Sequence, residues 1–328
     1  VTIIRWSEAT QAVQEASNIL VVTHIKPDGD AIGSMVGLAE ALRAGGKMVM
    51  TAVDGGVSEY LQFIPGTALV LEKLEQGEWD VMISVDASDE ERSGKAGAYG
   101  RAHSAQVINL DHHPTNTGFG HIQLINANAV SASEIVFDWL QFMQTPITQP
   151  IATALLTGLV TDTMGFRTSN VVPRTLEVAQ QLMLHGASLM EVLNRTLVSK
   201  PLSHLLLWRE ALPSLTFEKG IASVSISIDA LKKAELRDMT DGGLVSILAA
   251  AEEVMIAAAF KEQPDQKVEI SFRSKPGYDV GSVALSLGGG GHTQASGVTV
   301  TGTLESVRQQ VMPLLRTAYQ QANGTSAS

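Results

Sequence analysis

Ile19-Leu20-Val21-Val22-Thr23-His24-Ile25-Lys26-Pro27-Asp28-Gly29-Asp30-Ala31-Ile32-Gly33-Ser34 opens on an unbroken apolar run and closes on small residues that begin a helical pattern. The run 19–23 has the length and β-branched content of a strand buried on both faces. The pattern over 33–44 reads as a helix stopped by Gly45 and Gly46. Between them lie His24, Asp28 and Asp30, with Gly29 and Gly33 to let the backbone turn. Strand, loop and helix in that order build a parallel α/β sheet, and such sheets bind ligands at the carboxyl ends of their strands. The three side chains are therefore expected together on one loop at the active edge. Taken alone, the loop is equally a turn with a helix cap, since Asp and Gly serve both.

Other segments repeat the arrangement. Runs 47–53, 81–85 and 106–110 read as further strands. Asp86 ends the second of these, and Asp111-His112-His113-Pro114 ends the third. Thr161-Asp162-Thr163 follows a buried, helix-like stretch over 151–160. A fold has no structural need for so many ionisable groups at one edge. Without cations the carboxylates would repel and raise each other's pKa; bound divalent ions remove that problem. Asp and His suit Mn²⁺ or Mg²⁺, and imidazole tilts the choice toward Mn²⁺. Two ions about 3.5–4 Å apart serve in-line attack on phosphorus.

The pattern changes further along. Ser131-Ala132-Ser133-Glu134 resembles a capping box opening a helix to about 143, and Pro173 opens another that ends at Gly186. Residues 187–212 stay helical in pattern. A strand is expected over 221–228, a helix over 243–260, a strand over 267–273 and a short helix over 279–287. Gly288-Gly289-Gly290-Gly291-His292 follows, then an amphipathic closing helix over 304–322. The reading is an α/β chain: a parallel-sheet N-terminal domain (1–186), a helical linker (187–214), a smaller mixed α/β C-terminal domain (215–322) and a frayed tail (323–328). Consecutive glycines offer backbone N–H groups to an anion, and Arg273 offers a forked, permanently charged phosphate grip.

Composition narrows the classes. The chain has 328 residues, 45% hydrophobic and 17% charged, enough for two globular domains. It has no cysteine, which excludes disulfides, zinc–thiolate sites and a thiol nucleophile. Its net charge of -11 argues against a broad nucleic-acid surface but not against a short nucleotide ligand. Residues 1–17 lack the features of a signal peptide, and no apolar run is long enough to span a bilayer. A soluble, cytoplasmic protein without membrane association is expected.

As a set, and in this order, the motifs around His24, Asp86, Asp111-His112-His113 and Asp162 resemble the DHH phosphoesterase superfamily. The glycine run with His292, and Phe272-Arg273-Ser274 upstream, resemble its associated substrate-binding domain. The resemblance covers nearly the whole chain and is strongest to the standalone two-domain nanoRNase subgroup. It implies hydrolysis of very short RNA and removal of the 3′-phosphate of adenosine 3′,5′-bisphosphate (pAp). It implies one ion on His24, Asp28 and Asp86, a second on Asp30, Asp86, His112 and Asp162, and Asp86 as the bridge. His113 would contact the scissile phosphate, while Arg273 and His292 grip the substrate's other phosphate or sugar. Short RNA and pAp are then the partners, with no stable complex with long nucleic acid. A homodimer is left open, as are the roles of Arg92 and Asp111. A second enzyme reading is hydrolysis of pApA and similar linear dinucleotides. A rival from another class is a non-catalytic nucleotide sensor, whose mark would be a missing ligand; none is missing.

Overall fold

The computed structural model describes residues 4–236 and 240–324; residues 325–328 of the tail lie outside them. The chain divides into two compact units, Val1–Ser199 and Lys200–Ser328, and the division falls inside the stretch read as a connector.

The first unit runs α1 (Trp6–Glu15), β1 (Asn18–Val22), α2 (Gly29–Ala44), β2 (Met48–Ala52), β3 (Val70–Leu71), β4 (Trp79–Val85), α3 (Gly94–Ala102), β5 (Ser104–Asp111), β6 (Ile122–Ile125), α4 (Ala132–Phe142), α5 (Gln149–Asp162), α6 (Pro173–Leu184) and α7 (Leu189–Leu193). Its strands form a parallel sheet in the order β3-β2-β1-β4-β5-β6. The unbroken apolar run of β1 has a simple cause. Ile19 and Val21 join the large core with Ile32, Met35 and Leu155, while Leu20 and Val22 join a smaller core with Met82, Ala96 and Val107 on the opposite face. Both faces are covered, so no polar alternation is needed.

Two helices on the large face approach unusually closely. A Cβ on Gly33 of α2 would overlap the Ala154 carbonyl oxygen of α5, and one on Gly37 would stand 2.8 Å from Leu155 Cδ2. Glycine at these positions lets the α2 backbone lie against α5. The Ser131 cap forms as the sequence implies, its Oγ accepting from the Glu134 amide at 3.1 Å. The Glu134 carboxylate reaches the Val130 amide at 2.9 Å, one residue before the cap.

The expected continuous helix over 187–212 is broken. It consists of α7, a π-turn at Asn194–Val198 and α8 (Leu202–Ala211), interrupted at Pro201.

The second unit continues with β7 (Thr216–Glu218), β8 (Ile221–Ile226), α9 (Ile228–Lys233), α10 (Leu244–Ala249), β9 (Ile256–Gln263), β10 (Lys267–Ser274), α11 (Gly281–Ser286), β11 (Gly290–His292), β12 (Ala295–Thr301) and α12 (Leu304–Gly324). The sheet order is β11-β12-β10-β9-β8-β7, mixed because β8 and β9 pair in parallel and the other neighbours antiparallel. One expectation is corrected here. The helix expected over 243–260 is only α10, and its second half is the central strand β9. Ile256, Ala258 and Phe260 enter one core while Ala257 and Ala259 enter another. A strand buried on both faces and rich in alanine carries a helical composition, and pairing on both edges overrides it.

Candidate metal centre

The parallel sheet changes strand order between β1 and β4, the place where such sheets form a ligand crevice. Val22 pairs with Ser84, and Val85 with Leu110, so β1, β4 and β5 end side by side. His24, Asp86 and His112 emerge there together. Asp28 and Asp30 are not both on the loop: Asp28 is the N-cap of α2, accepting from the amides of Asp30 and Ala31 at 3.0 and 3.1 Å, and Asp30 lies in the first turn. Asp162 is the last residue of α5, which the glycine contacts hold against α2.

The side chains converge. His24 Nε2 lies 3.4 Å from Asp86 Oδ2 and 3.9 Å from Asp28 Oδ1. His112 Nε2 lies 3.4 Å from Asp86 Oδ1 and 3.2 Å from Asp162 Oδ2. His113 Nδ1 stands 2.8 Å from Asp111 Oδ1 and 3.7 Å from Asp86 Oδ1. Most of these separations are long for hydrogen bonds. Those of 3.2–3.4 Å suit donor atoms sharing a cation, since two ligands about 2.1 Å from one ion stand roughly 3.0–3.4 Å apart at tetrahedral to octahedral angles. Asp86 Oδ1 is buried without a hydrogen-bond partner. Nδ1 of His24 lies 2.8 Å from the Ile25 carbonyl, which can only accept, so Nε2 keeps its lone pair for a ligand. Three overlapping groups can each hold an ion: His24, Asp28 and Asp86; Asp30, His112 and Asp162; and Asp86, Asp111, His112 and His113. The donor set fits a divalent metal site.

The electrostatics agree. Burial, then the charges of Asp30 and Asp86, push Asp162 up to about 9. Burial and the Asp86 charge push Asp30 up to about 7. Burial alone would lower the His112 imidazolium, but the Asp86 carboxylate beside it and the charges of Asp30 and Asp162 outweigh that and push it up to about 10. Burial would raise Asp86 too, but His112 and His24 hold it below the usual carboxylate range. The site carries an excess of negative charge that draws in protons when no metal neutralises it. Asp86 also sits in left-handed backbone, φ 56°, uncommon for a residue with a side chain and frequent at functional turns.

Asp30 is held by a device the sequence reading missed. The amides of Ala132 and Ser133, at the N-terminus of α4, donate to its Oδ2 and Oδ1 at 2.6 and 2.9 Å. A helix N-terminus favours a negative charge and aims its free N–H groups at it. Room for this contact depends on Gly158 of α5, where a Cβ would overlap both Ser133 Oγ and Asp30 Oδ1. The available signal was a glycine inside an apolar helical run, four residues before Asp162. Gly158→Ala should therefore weaken Mn²⁺ binding by about 10–100-fold, the usual effect of disturbing an outer-shell partner. This is expected although alanine favours a helix by about 1 kcal/mol over glycine. Calorimetric titration with Mn²⁺ measures it.

In the second unit, Arg273 of β10 and His292 of β11 both pair with Ala295 of β12. Directly opposed residues of antiparallel strands share a face, so the two side chains flank one small residue on the same side of the sheet. The glycine run is more committed than its composition implied. Gly288 and Gly289 already donate their amides to Leu285 and Ala284 at 3.0 and 2.8 Å. A Cβ on Gly291 would stand 2.6 Å from the Ala295 carbonyl oxygen, so this glycine is needed for the close pairing of β11 with β12. The amides of Gly288 and Gly289 are therefore taken, and Gly290 and Gly291 lie on the edge strand β11, paired with Gly297 and Ser296 of β12, where successive amides face alternately toward β12 and away from it. Among the described residues, no helix is long and apolar enough to cross a membrane. His103 and His121 make local contacts: His103 stacks on Tyr99, and His121 accepts the Val107 amide at 2.9 Å.

Comparison with known proteins places this architecture. Residues 18–159 match the DHH family N-terminal domain, and residues 228–322 match the DHHA1 domain. A bifunctional oligoribonuclease and PAP phosphatase NrnA of Thermus thermophilus is 32% identical over 94% of this chain and 92% of its own length. A probable protein of the same name from Streptococcus mutans is 28% identical over 93% of this chain and 97% of its own length. Among solved structures, an exopolyphosphatase-related protein from Bacteroides fragilis has the same fold, with a TM-score of 0.91 and 24% identity, covering 97% of each chain. With both domains present in order and a relative at this identity along nearly the full length, the chain belongs to the DHH family, in its DHH–DHHA1 form.

Proposed function

We propose that the protein is a two-metal phosphoesterase that hydrolyses short oligoribonucleotides to mononucleotides and removes the 3′-phosphate of pAp. The observation that carries this reading is the buried Asp86 carboxylate, which turns Oδ2 toward His24 and Oδ1 toward His112, each at 3.4 Å. A carboxylate facing two donor groups with different oxygens is suited to bridge two ions. On this reading His24, Asp28 and Asp86 hold one ion, and Asp30, Asp86, His112 and Asp162 the other. The imidazole and carboxylate donors favour Mn²⁺ over Mg²⁺. Bound divalent ions would supply Lewis acidity toward the phosphate and lower the pKa of water.

The chain's own residues do the rest. Asp30, gripped by the α4 amides, and Asp28, folded into the α2 cap, orient the ligand set. His113 is half-buried with Nδ1 tied to Asp111, which leaves Nε2 to meet the scissile phosphate. Arg273 and His292 hold a second phosphate or a sugar of the substrate. The full-length relatives named as oligoribonucleases and PAP phosphatases support the substrate class. The net charge of -11 offers no track for a long strand, which favours short substrates over stable complexes with long nucleic acid.

A substrate panel at fixed Mn²⁺ tests the reading: pAp, pApA, RNAs of rising length, and pyrophosphate. Turnover of pAp and the shortest RNAs, declining with length, is expected. Hydrolysis of pyrophosphate alone would overturn it. Arg273→Ala should lower kcat/KM on pAp and dinucleotides by ~1.5–3 kcal/mol, the range for a charged hydrogen bond. It should change hydrolysis of bis-p-nitrophenyl phosphate far less, because that ester has no second phosphate to grip. Equal losses on both would assign Arg273 to the chemistry or the fold instead.

A further inference from the structure

Asp111 has no part in the ligand assignment above. It is fully buried, and both its oxygens are taken. His113 Nδ1 lies 2.8 Å from Oδ1, and Asn116 Nδ2 donates to Oδ2 at 2.6 Å. The orientation of Asn116 follows from its own turn. Its Oδ1 accepts from the Gly118 amide at 2.7 Å, and that N–H can only donate, so the side-chain NH₂ must face inward. There it reaches, besides Asp111, Asn109 Oδ1 at 2.9 Å and the Ala87 carbonyl at 3.2 Å. Asn109 reaches the same carbonyl at 3.1 Å. Ala87 directly follows Asp86 in its left-handed turn. Asn116 thus joins the segment that carries His113 to the turn that carries Asp86.

We propose that Asn116 is a positioning residue for His113: it holds the Asp111 carboxylate, whose other oxygen takes the His113 Nδ1–H and so leaves Nε2 free for the substrate phosphate. The role of Nε2 rests on the phosphoesterase reading; the tautomer does not. An ionised carboxylate is an acceptor only, so His113 Nδ1 must donate to it. Asn116 sets which groups can occupy the far side of position 111, and this makes the tautomer reversible by substitution. In Asp111→Asn, the Asn116 NH₂ still faces position 111, where a second NH₂ would meet it donor to donor. The new amide must turn its oxygen to Asn116 and its NH₂ to His113. Nδ1 then has to accept, and the ring proton moves to Nε2. In the double variant Asp111→Asn/Asn116→Asp, the group at 116 becomes an acceptor. The amide turns round, and its oxygen faces His113 again.

The test uses full-length protein with ¹⁵N-labelled histidine, metal-free and substrate-free, at alkaline pH where an imidazole is neutral. Long-range ¹H–¹⁵N spectra report the tautomer, and His113→Gln assigns the signal. Wild type is expected as Nδ1–H, Asp111→Asn as Nε2–H, and the double variant as Nδ1–H again. With Mn²⁺ restored, Asp111→Asn should lose about 10–100-fold in kcat, with KM and metal stoichiometry unchanged, and the double variant should recover most of that loss. Retention of Nδ1–H in Asp111→Asn, or a double variant no better than the single in spectrum and rate, would overturn the proposal. So would loss of bound metal in Asp111→Asn, which would make Asp111 a ligand. If Asp111→Asn does not fold, Asn116→Ala takes its place: the spectrum should stay Nδ1–H, because the carboxylate can only accept, while kcat falls about 10–100-fold at unchanged metal stoichiometry, and an unchanged kcat would overturn the role. Because the spectra need no turnover, failure of the substrate reading leaves the tautomer result standing and can be told apart from it.

Discussion

Asp86→Asn is expected to lower kcat on pAp and dinucleotides by at least about 10³-fold, equivalent to about 4 kcal/mol of barrier, while the protein stays folded. Asp86 faces both His24 and His112, so the substitution removes a shared charge rather than a peripheral one. It puts a neutral amide with one oxygen where two anionic oxygens stood, and the amide nitrogen has no lone pair to offer a cation. The fold should tolerate the change for a specific reason. The residue sits at φ 56°, and asparagine is among the few residues that enter left-handed backbone readily. Its amide hydrogen bond to the Leu110 carbonyl, at 2.9 Å, does not depend on the side chain. Asp86→Ala is the poorer probe, because alanine lacks that backbone tolerance and leaves a void. Turnover and metal stoichiometry should be measured together on Asp86→Asn. A protein that binds its full complement of metal and keeps activity within about tenfold, or about 1.4 kcal/mol, would contradict the bridging role.

Four of the side chains that could hold a metal stood out in the sequence because each ends an apolar run: His24 after β1, Asp86 after β4, His112 after β5 and Asp162 at the end of α5. Strand-end chemistry is local, so sequence order carries it. What holds those ligands was not visible. The α4 amides that grip Asp30 come from 102 and 103 residues away, and nothing in the spacing announces them. Gly158 and Asn116 are ordinary residues whose roles depend on what packs beside them. The misread stretch over 243–260 has the same origin. Alanines at 257–259 suit a helix by propensity, and only pairing with β8 and β10 on either edge makes them a strand. The Gly288–Gly291 run looked like a bare anion nest, but the amides of Gly288 and Gly289 already close the last turn of α11 on Leu285 and Ala284.

Metal removal should destabilise the first unit increasingly as pH rises, not merely switch off activity. Asp30 and Asp162 have folded values pushed up to about 7 and about 9 from an ordinary 3.8. The metal-free folded protein therefore binds more protons at these groups than the unfolded chain does, and folding weakens with rising pH across that window. His112, pushed up to about 10 from 6.5, acts in the same direction: its contribution is complete below the ordinary imidazole value and lost as pH passes the folded one. Between pH 6 and 9 the chelated protein should accordingly lose stability by up to about 1.4 kcal/mol per group per pH unit, roughly 2–4 °C in Tm for each kcal/mol. Bound metal replaces those protons, so Mn²⁺ at about 1,000 times its Kd should add about 4 kcal/mol, and its apparent affinity should rise over the same pH range. Thermal melts at pH 6, 7.5 and 9, each with chelator and with Mn²⁺, make the comparison. The gap between the two melts should widen with pH, and the melt with Mn²⁺ should stay nearly level. A gap that is constant or narrows toward pH 9 would mean that these carboxylates are not the groups that exchange protons for metal.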